Sequence, residues 1–110
     1  MDKAQNKRLY GMLGFAMRAG RVTIGVQLCF SLLSKAGRQR VSLVCYACDA
    51  SDATKKKIST KCAFYNVRAL ELPIEAQELG RLLGKTYAPA AVAITDAAFA
   101  NEICRAVIQE

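Results

Sequence analysis

Val41-Ser42-Leu43-Val44-Cys45-Tyr46-Ala47, then Cys48-Asp49-Ala50-Ser51-Asp52, then Ala53-Thr54-Lys55-Lys56-Lys57-Ile58 is the stretch that decides how this chain folds. Its first segment is short, apolar and rich in β-branched and aromatic residues, which reads as a buried strand. The middle segment carries turn and helix-cap residues, and the last reads as a basic helix. A strand end and a helix start are therefore exposed together. In open α/β sheets ligands gather at the carboxyl ends of strands, and a helix N-terminus offers free N–H groups to anionic oxygens. The adjacent lysines point to a polyanion as the ligand.

Upstream of this stretch, Leu9, Met12, Leu13, Ala16 and Met17 recur at three- and four-residue spacing, predicting an amphipathic helix over residues 4–19 with Gly20 as its stop. Arg21-Val22-Thr23-Ile24 reads as a short edge strand, and Gly25 opens a second helix with Val26, Cys29, Phe30 and Leu33 on its apolar stripe. That helix ends near Ala36-Gly37, before a basic turn, Arg38-Gln39-Arg40. Downstream, Ser51 or Asp52 caps a third helix reaching Tyr65, with Ile58, Cys62 and Tyr65 inward and Lys55, Lys56, Lys57 and Lys61 largely outside. Residues 66–72 read as a turn and strand stopped by Pro73. A fourth helix built on Ile74, Leu79, Leu82 and Leu83 closes at Gly84. Ala90-Ala91-Val92-Ala93-Ile94 is another buried strand, and Asp96 caps a last helix that turns Phe99, Ile103, Ala106 and Val107 inward. Helices alternating with apolar strands predict an α/β fold, a three-layer α/β/α sandwich, with no long linker or internal repeat.

At 110 residues the chain suits one domain, residues 1–110, with one modest core. Its 16 basic and 9 acidic residues give a net charge of +7, attractive to nucleic acid or an anionic surface. The excess is lopsided: residues 1–61 carry +9 and residues 62–110 carry −2. No apolar run approaches the roughly 18 residues a membrane-spanning helix needs, and the polar start lacks a signal-like core, so a cytoplasmic protein without membrane contact is expected. Five cysteines without a secretion signal suit a reducing compartment, with thiols as small hydrophobes and no disulfides.

Catalytic readings find little support. Cys45 and Cys48 sit within a strand and its exit rather than opening a helix, so core packing outweighs a redox dithiol. Zinc needs four ligands, and Cys62 and Cys104 are singletons in a chain without histidine. Gly80-Arg81-Leu82-Leu83-Gly84-Lys85-Thr86 imitates a phosphate loop, yet it has three residues between its glycines instead of four and lies at a helix end. No hydrolytic constellation is visible, so no cofactor, metal or enzymatic activity is expected.

Taken together, several blocks resemble one family. They are Met12-Leu13-Gly14-Phe15-Ala16-Met17-Arg18-Ala19-Gly20-Arg21 with Gly25, the run from Ala47 to Lys57, Cys62 with Tyr65-Asn66-Val67, the run from Glu78 to Lys85, and the run from Val92 to Ala100. In this order and spacing the chain resembles the ribosomal L-seven-Ae/L-thirty-e superfamily, and within it the small bacterial YlxQ-type proteins. The resemblance implies a mixed four-stranded sheet between helices and binding of RNA kink-turns, which are sharply bent duplexes with an internal loop. It also implies that Gly25 to Ser31, at the start of the second helix, enters the groove at the bend, while the loop Thr86 to Ala91 packs on a flipped base.

On that basis the expected RNA-binding residues are Arg21, Gly25, Val26, Gln27, Ser31, Asp49, Lys55, Lys56, Ala88 and Ala90. Each has a plainer reading: polar residues at a helix start are often caps, a lysine run is often a solvated helix side, and small apolar residues often lead into a buried strand. The chain also departs from the family pattern. Kink-turn binders usually carry a polar or charged pair at the positions of Gln27 and Leu28 and a lysine at that of Ser31. Leu28 cannot hydrogen-bond a base edge, so base reading is weakened while phosphate attraction remains. Extra sequence around Lys35 to Arg40 adds cations. The expected partners are structured RNA, ribosomal in origin, with ribosomal or assembly proteins besides, bound by a chain that is monomeric when free. The alternative is a protein-interaction module of the same fold with only non-specific affinity for RNA.

Overall fold

The computed structural model describes residues 3–36 and 40–108. Along the chain run α1 (Lys3–Arg18), β1 (Val22–Ile24), α2 (Val26–Ala36), β2 (Leu43–Ala47), α3 (Asp52–Phe64), β3 (Arg68–Leu72), α4 (Ala76–Leu82), β4 (Ala91–Ile94) and α5 (Ala97–Ile108). The strands form one mixed sheet in the order β1-β4-β2-β3. Strand β4 is antiparallel to both β1 and β2, whereas β2 and β3 are parallel, joined by the crossover through α3. The three-layer α/β/α sandwich with a mixed four-stranded sheet, expected from the sequence, is the fold.

Alternation along the central strands builds the layers. Leu43 and Cys45 of β2, with Val92 and Ile94 of β4, point to one face, where Leu9 and Leu13 of α1, Leu79 of α4 and Ile103 of α5 are buried against them. Val44 of β2, with Ala91 and Ala93 of β4, points to the other face, against Cys29 and Leu33 of α2 and Ile58 and Cys62 of α3. A slip of one residue in β2 would exchange these sets.

The helix ends follow local chemistry. The Thr54 N–H donates to the Ser51 hydroxyl at 3.1 Å, so Ser51 is the cap of α3 and Asp52 its first helical residue. Asp96 takes the Phe99 N–H at 3.0 Å and starts α5. Gly20 and Gly84 end α1 and α4 with φ of 72° and 74°, a left-handed conformation that disfavours a Cβ. The fourth helix is shorter than expected, because Ile74 is buried in the turn before it rather than within it. Strand β2 begins at Leu43; Val41 is buried just ahead of it. Of the added basic segment, residues 37–39 lie outside the described residues, and Arg40 is exposed.

Candidate nucleic-acid interface

Strands β1, β2 and β3 run in one direction and β4 in the other, so three strand ends and one strand start share a rim of the sheet. Backbone bonds lock them together there. The Gly25 N–H donates to the Ala91 carbonyl at 2.9 Å, the Ala47 N–H to the Ala90 carbonyl at 2.8 Å, and the Cys48 N–H to the Ile74 carbonyl at 3.0 Å. Helices α2 and α3 both start at this rim, directing their positive dipole ends and first unpaired N–H groups outward. The loop of residues 83–90 lies over α4 because residue 80 is glycine. A Cβ there would stand 2.1 Å from the Tyr87 carbonyl oxygen, and the Lys85 N–H already reaches the Gly80 carbonyl at 2.8 Å. Glu75, Glu78, Arg81, Lys85, Tyr87 and Ala88 line a depression of about 610 Å³ beside that loop.

Most of the residues expected at the interface gather on this rim. Gly25, at φ 108°, makes the turn from β1 into α2, and a residue with a Cβ would be strained in that conformation. Val26 is half-buried, whereas Gln27 and Ser31 are exposed one turn apart on the outer face of α2, beside Leu28 at 60% exposure. Ala88 is exposed, and Ala90 is half-buried with its carbonyl taken by β2. Lys56 projects into solvent near the start of α3.

Three of the expected residues stand differently. Arg21 precedes β1 and lies about 13 Å along the strand from Gly25, at the opposite end of the sheet, where its carbonyl accepts the Thr95 N–H. Asp49 is on the rim, but its Oδ1 accepts the Ala76 N–H at 2.9 Å and so caps α4 from another loop, a task Glu75 leaves unfilled. Lys55 is not largely outside. It is half-buried and its ammonium lies 3.4 Å from Glu71 of β3, because its place on the helix turns it towards that edge strand.

The charge asymmetry along the chain is only partly an asymmetry in space. Lys7, Arg8 and Arg18 belong to α1, in the layer across the sheet from α3, and Arg8 is paired with Glu102 at 3.3 Å. The cations close to the rim are chiefly those of α3, while the α4 side of the rim holds Glu75 and Glu78, the latter paired with Arg81. The positive charge near the rim therefore falls on its α2–α3 half.

Cys48 lies on the rim and is only partly buried, whereas Cys29, Cys45 and Cys62 are buried beneath the surface. Burial holds the Cys45 thiol far above its ordinary pKa of 9.0, which leaves no thiolate for redox chemistry at neutral pH. Burial likewise lifts Cys29 to about 12 and Cys62 to about 11, and the Cys29 Sγ–H donates weakly to the Thr23 carbonyl at 3.7 Å. Sequence reasoning did not foresee the part played by Gly80. Its glycine spacing, which imitated a phosphate loop, instead serves a close approach at Gly80 and a left-handed helix stop at Gly84. A glycine inside a helical pattern was the available signal. Among the described residues no helix is long and apolar enough to cross a membrane.

Comparison with known proteins agrees with this architecture. Two relatives, both called RNA-binding protein YlxQ, are 33% identical over 77% of this chain and 79% of the Enterococcus faecium protein, and 38% identical over 86% of this chain and 89% of the Bacillus subtilis (strain 168) protein. Among solved structures, a protein of unknown function from Bacillus halodurans C superposes with a TM-score of 0.80 at 27% identity, covering 91% of this chain and 96% of that one. The Giardia lamblia 15.5kD RNA binding protein superposes at 0.73 with 16% identity, over 97% of this chain and 88% of that one, a likeness of fold alone. The family model that matches residues 7–104 spans every strand, the whole of α2, α3 and α4 and most of α1 and α5, and the chain belongs to the Ribosomal protein L7Ae/L30e/S12e/Gadd45 family.

Proposed function

We propose that this chain is a non-catalytic RNA-binding protein that holds structured, kink-turn-like RNA at the rim formed by the starts of α2 and α3 and the loop before β4. The observation that carries the reading is the convergence of two helix N-termini and the Ala88–Ala90 loop on one rim, beside the exposed lysines of α3. Free N–H groups and positive helix ends suit phosphate oxygens, and a small apolar loop suits the face of an unstacked base. In this reading Gly25 to Ser31 faces the bent groove, Lys56 contacts the backbone and Ala88 packs on the flipped base. Lys55 contributes only when it leaves Glu71, and Asp49 acts by holding α4 rather than by touching RNA. A cytoplasmic chain that is monomeric when free and acts in a ribosomal or ribosome-assembly setting belongs to the same proposal, which is made for residues 1–110 as one domain.

Titration of the protein against a kink-turn RNA and a straight duplex across a range of salt tests it. The expected result is tighter binding of the kink-turn, with a preference that persists as salt rises while both affinities fall. Equal affinities that collapse together would leave charge attraction alone. The second reading, a protein-interaction module, draws on Leu28, whose exposed side chain stands where a base reader would be polar. Replacing Lys55, Lys56 and Lys57 together with glutamate separates the two: loss of RNA retention in cell extracts supports direct contact through α3, whereas retention that survives is RNA carried by a bound protein and favours the module.

A further inference from the structure

The outer face of α3 carries a feature that a rim-bound bent duplex leaves unused. Phe64, in the last turn of the helix, is 80% exposed, more than the other exposed large apolar side chains among the described residues. It lies about 18 Å along the helix axis from Asp52, away from the rim. An isolated exposed apolar side chain is ordinary, so its surroundings decide. Lys57, Lys61 and Phe64 follow one another at helical spacing on one side of α3. Ala53, Lys56, Lys57, Thr60 and Lys61 line a shallow depression of about 490 Å³ that leads from the rim towards the ring.

The face is also held in place. The Phe64 ring meets the Tyr65 ring edge-on at 4.9 Å, and the Lys61 ammonium sits over the Phe30 ring of α2 at 5.3 Å. Asp52 is the sole carboxylate of α3, against four lysines, and among the described residues the one ion pair made by these lysines is Lys55 with Glu71. A cationic groove that tracks a backbone, with an aromatic ring on which a base can stack, is how proteins hold single strands without reading sequence.

We propose that the outer face of α3 holds a single-stranded RNA segment that leaves the structured element at the rim, with Lys56, Lys57 and Lys61 along its phosphates and Phe64 stacked on one of its bases. The inference rests on RNA being held at the rim, and it assigns to Phe64 a contact that a bent duplex at the rim does not reach. The polyanion is favoured over an acidic protein partner because the depression is lined by lysines at helical intervals and Phe64 follows Lys61 on the same side of the helix, which matches a repeating backbone charge with bases between.

The test uses a kink-turn RNA and a straight duplex, each with and without a single-stranded uridine tail of about twelve nucleotides, a length within the usual site size of single-strand binders. For the unaltered protein the tail tightens binding about tenfold on either carrier, as expected for one stacked base. Phe64→Ala removes that gain and leaves the untailed affinities unchanged, whereas Phe64→Tyr keeps it. Lys57→Gln with Lys61→Gln lowers the salt slope for the tailed RNAs by about 1.4, the value for two single-strand phosphate contacts. A tail gain that survives Phe64→Ala, an equal loss on tailed and untailed RNA, or no gain from the tail in the unaltered protein would overturn the proposal, and a protein ligand for this face would give the last of these. Equal binding of the two untailed carriers would instead count against kink-turn recognition, and the tail effect is still read in that case. Unchanged urea midpoints confirm that the variants fold.

Discussion

The two helical layers face the same sheet but are filled with different residues. The α1/α4/α5 side is packed with large aliphatics, among them Leu9, Leu13, Leu72, Leu79, Ile94 and Ile103, all fully buried. On the α2/α3 side small side chains are prominent: Cys29, Cys62, Ala91 and Ala93, with Val44, Leu33 and Ile58. Both α2 and α3 begin at the candidate interface, and α3 carries the exposed lysines. Burial stabilises by about 25 cal/mol per Å² of apolar surface, so the aliphatic side carries more of the stability. The thinner side places its helix starts and cations where a ligand can reach them.

The largest expected effect follows from the thiols of the thinner side. The fold holds Cys29 and Cys62 protonated up to about 12 and about 11, against 9.0 for a free thiol. Their burial therefore supports the fold fully below about pH 9, and that support is lost as pH rises through the folded values, because the unfolded chain releases protons first. Urea midpoints at about pH 8 and about pH 10.5 should show a steep fall for the natural chain and a shallower one for Cys29→Ala with Cys62→Ala, since the contribution of Cys45 is common to both. Parallel falls would show that Cys29 and Cys62 add nothing to an alkaline loss that Cys45, buried on the other side, also feeds.

At neutral pH the order reverses. Leu13→Ala, on the aliphatic side, should cost about 3 kcal/mol through lost transfer energy and a cavity, whereas Cys29→Ala should cost about 1 kcal/mol. Chemical denaturation of the two variants checks the difference, and near-equal losses would break the contrast between the layers. Gly80→Val should cost about 2 kcal/mol, because its side chain would collide with the Tyr87 carbonyl and force either α4 or the Tyr87 backbone to move. Its larger consequence is expected in kink-turn affinity, since the displaced loop carries Ala88.

How much of this was legible in the sequence follows from which interactions are local. Helix caps such as Ser51 and Asp96, the left-handed stops Gly20 and Gly84, and the alternation through β2 and β4 depend on near neighbours, so they could be read directly. The meeting of Gly25 with Ala91, and of Ala47 with Ala90, depends on strand order. Periodicity does not give that order, and the family resemblance implies only a mixed four-stranded sheet. Arg21 and Gly25 stand in one block of the family resemblance, yet an extended strand places them at opposite ends of the sheet. The partners of Asp49 and Lys55, the Ala76 N–H and Glu71, lie on later elements that no local pattern links to them, so the sequence does not show that both groups are engaged within the fold.

The smallest expected change in stability belongs to that last pair and sharpens the comparison most. A partly exposed ion pair is worth about 0.2–1 kcal/mol, so Glu71→Gln should shift the urea midpoint barely at all. It also frees the Lys55 ammonium, on the first turn of α3, to reach a phosphate. If the α2/α3 half of the rim holds RNA through backbone charge, the slope of log affinity against log salt should steepen by about 0.7–0.9, the value for one added phosphate contact. Lys55→Gln, with the same pair broken from the other side, should leave the slope at the natural value. The two variants lose the same ion pair and differ in which charge remains, so a common response would assign Lys55 to the packing of α3 against β3 and remove it from the interface.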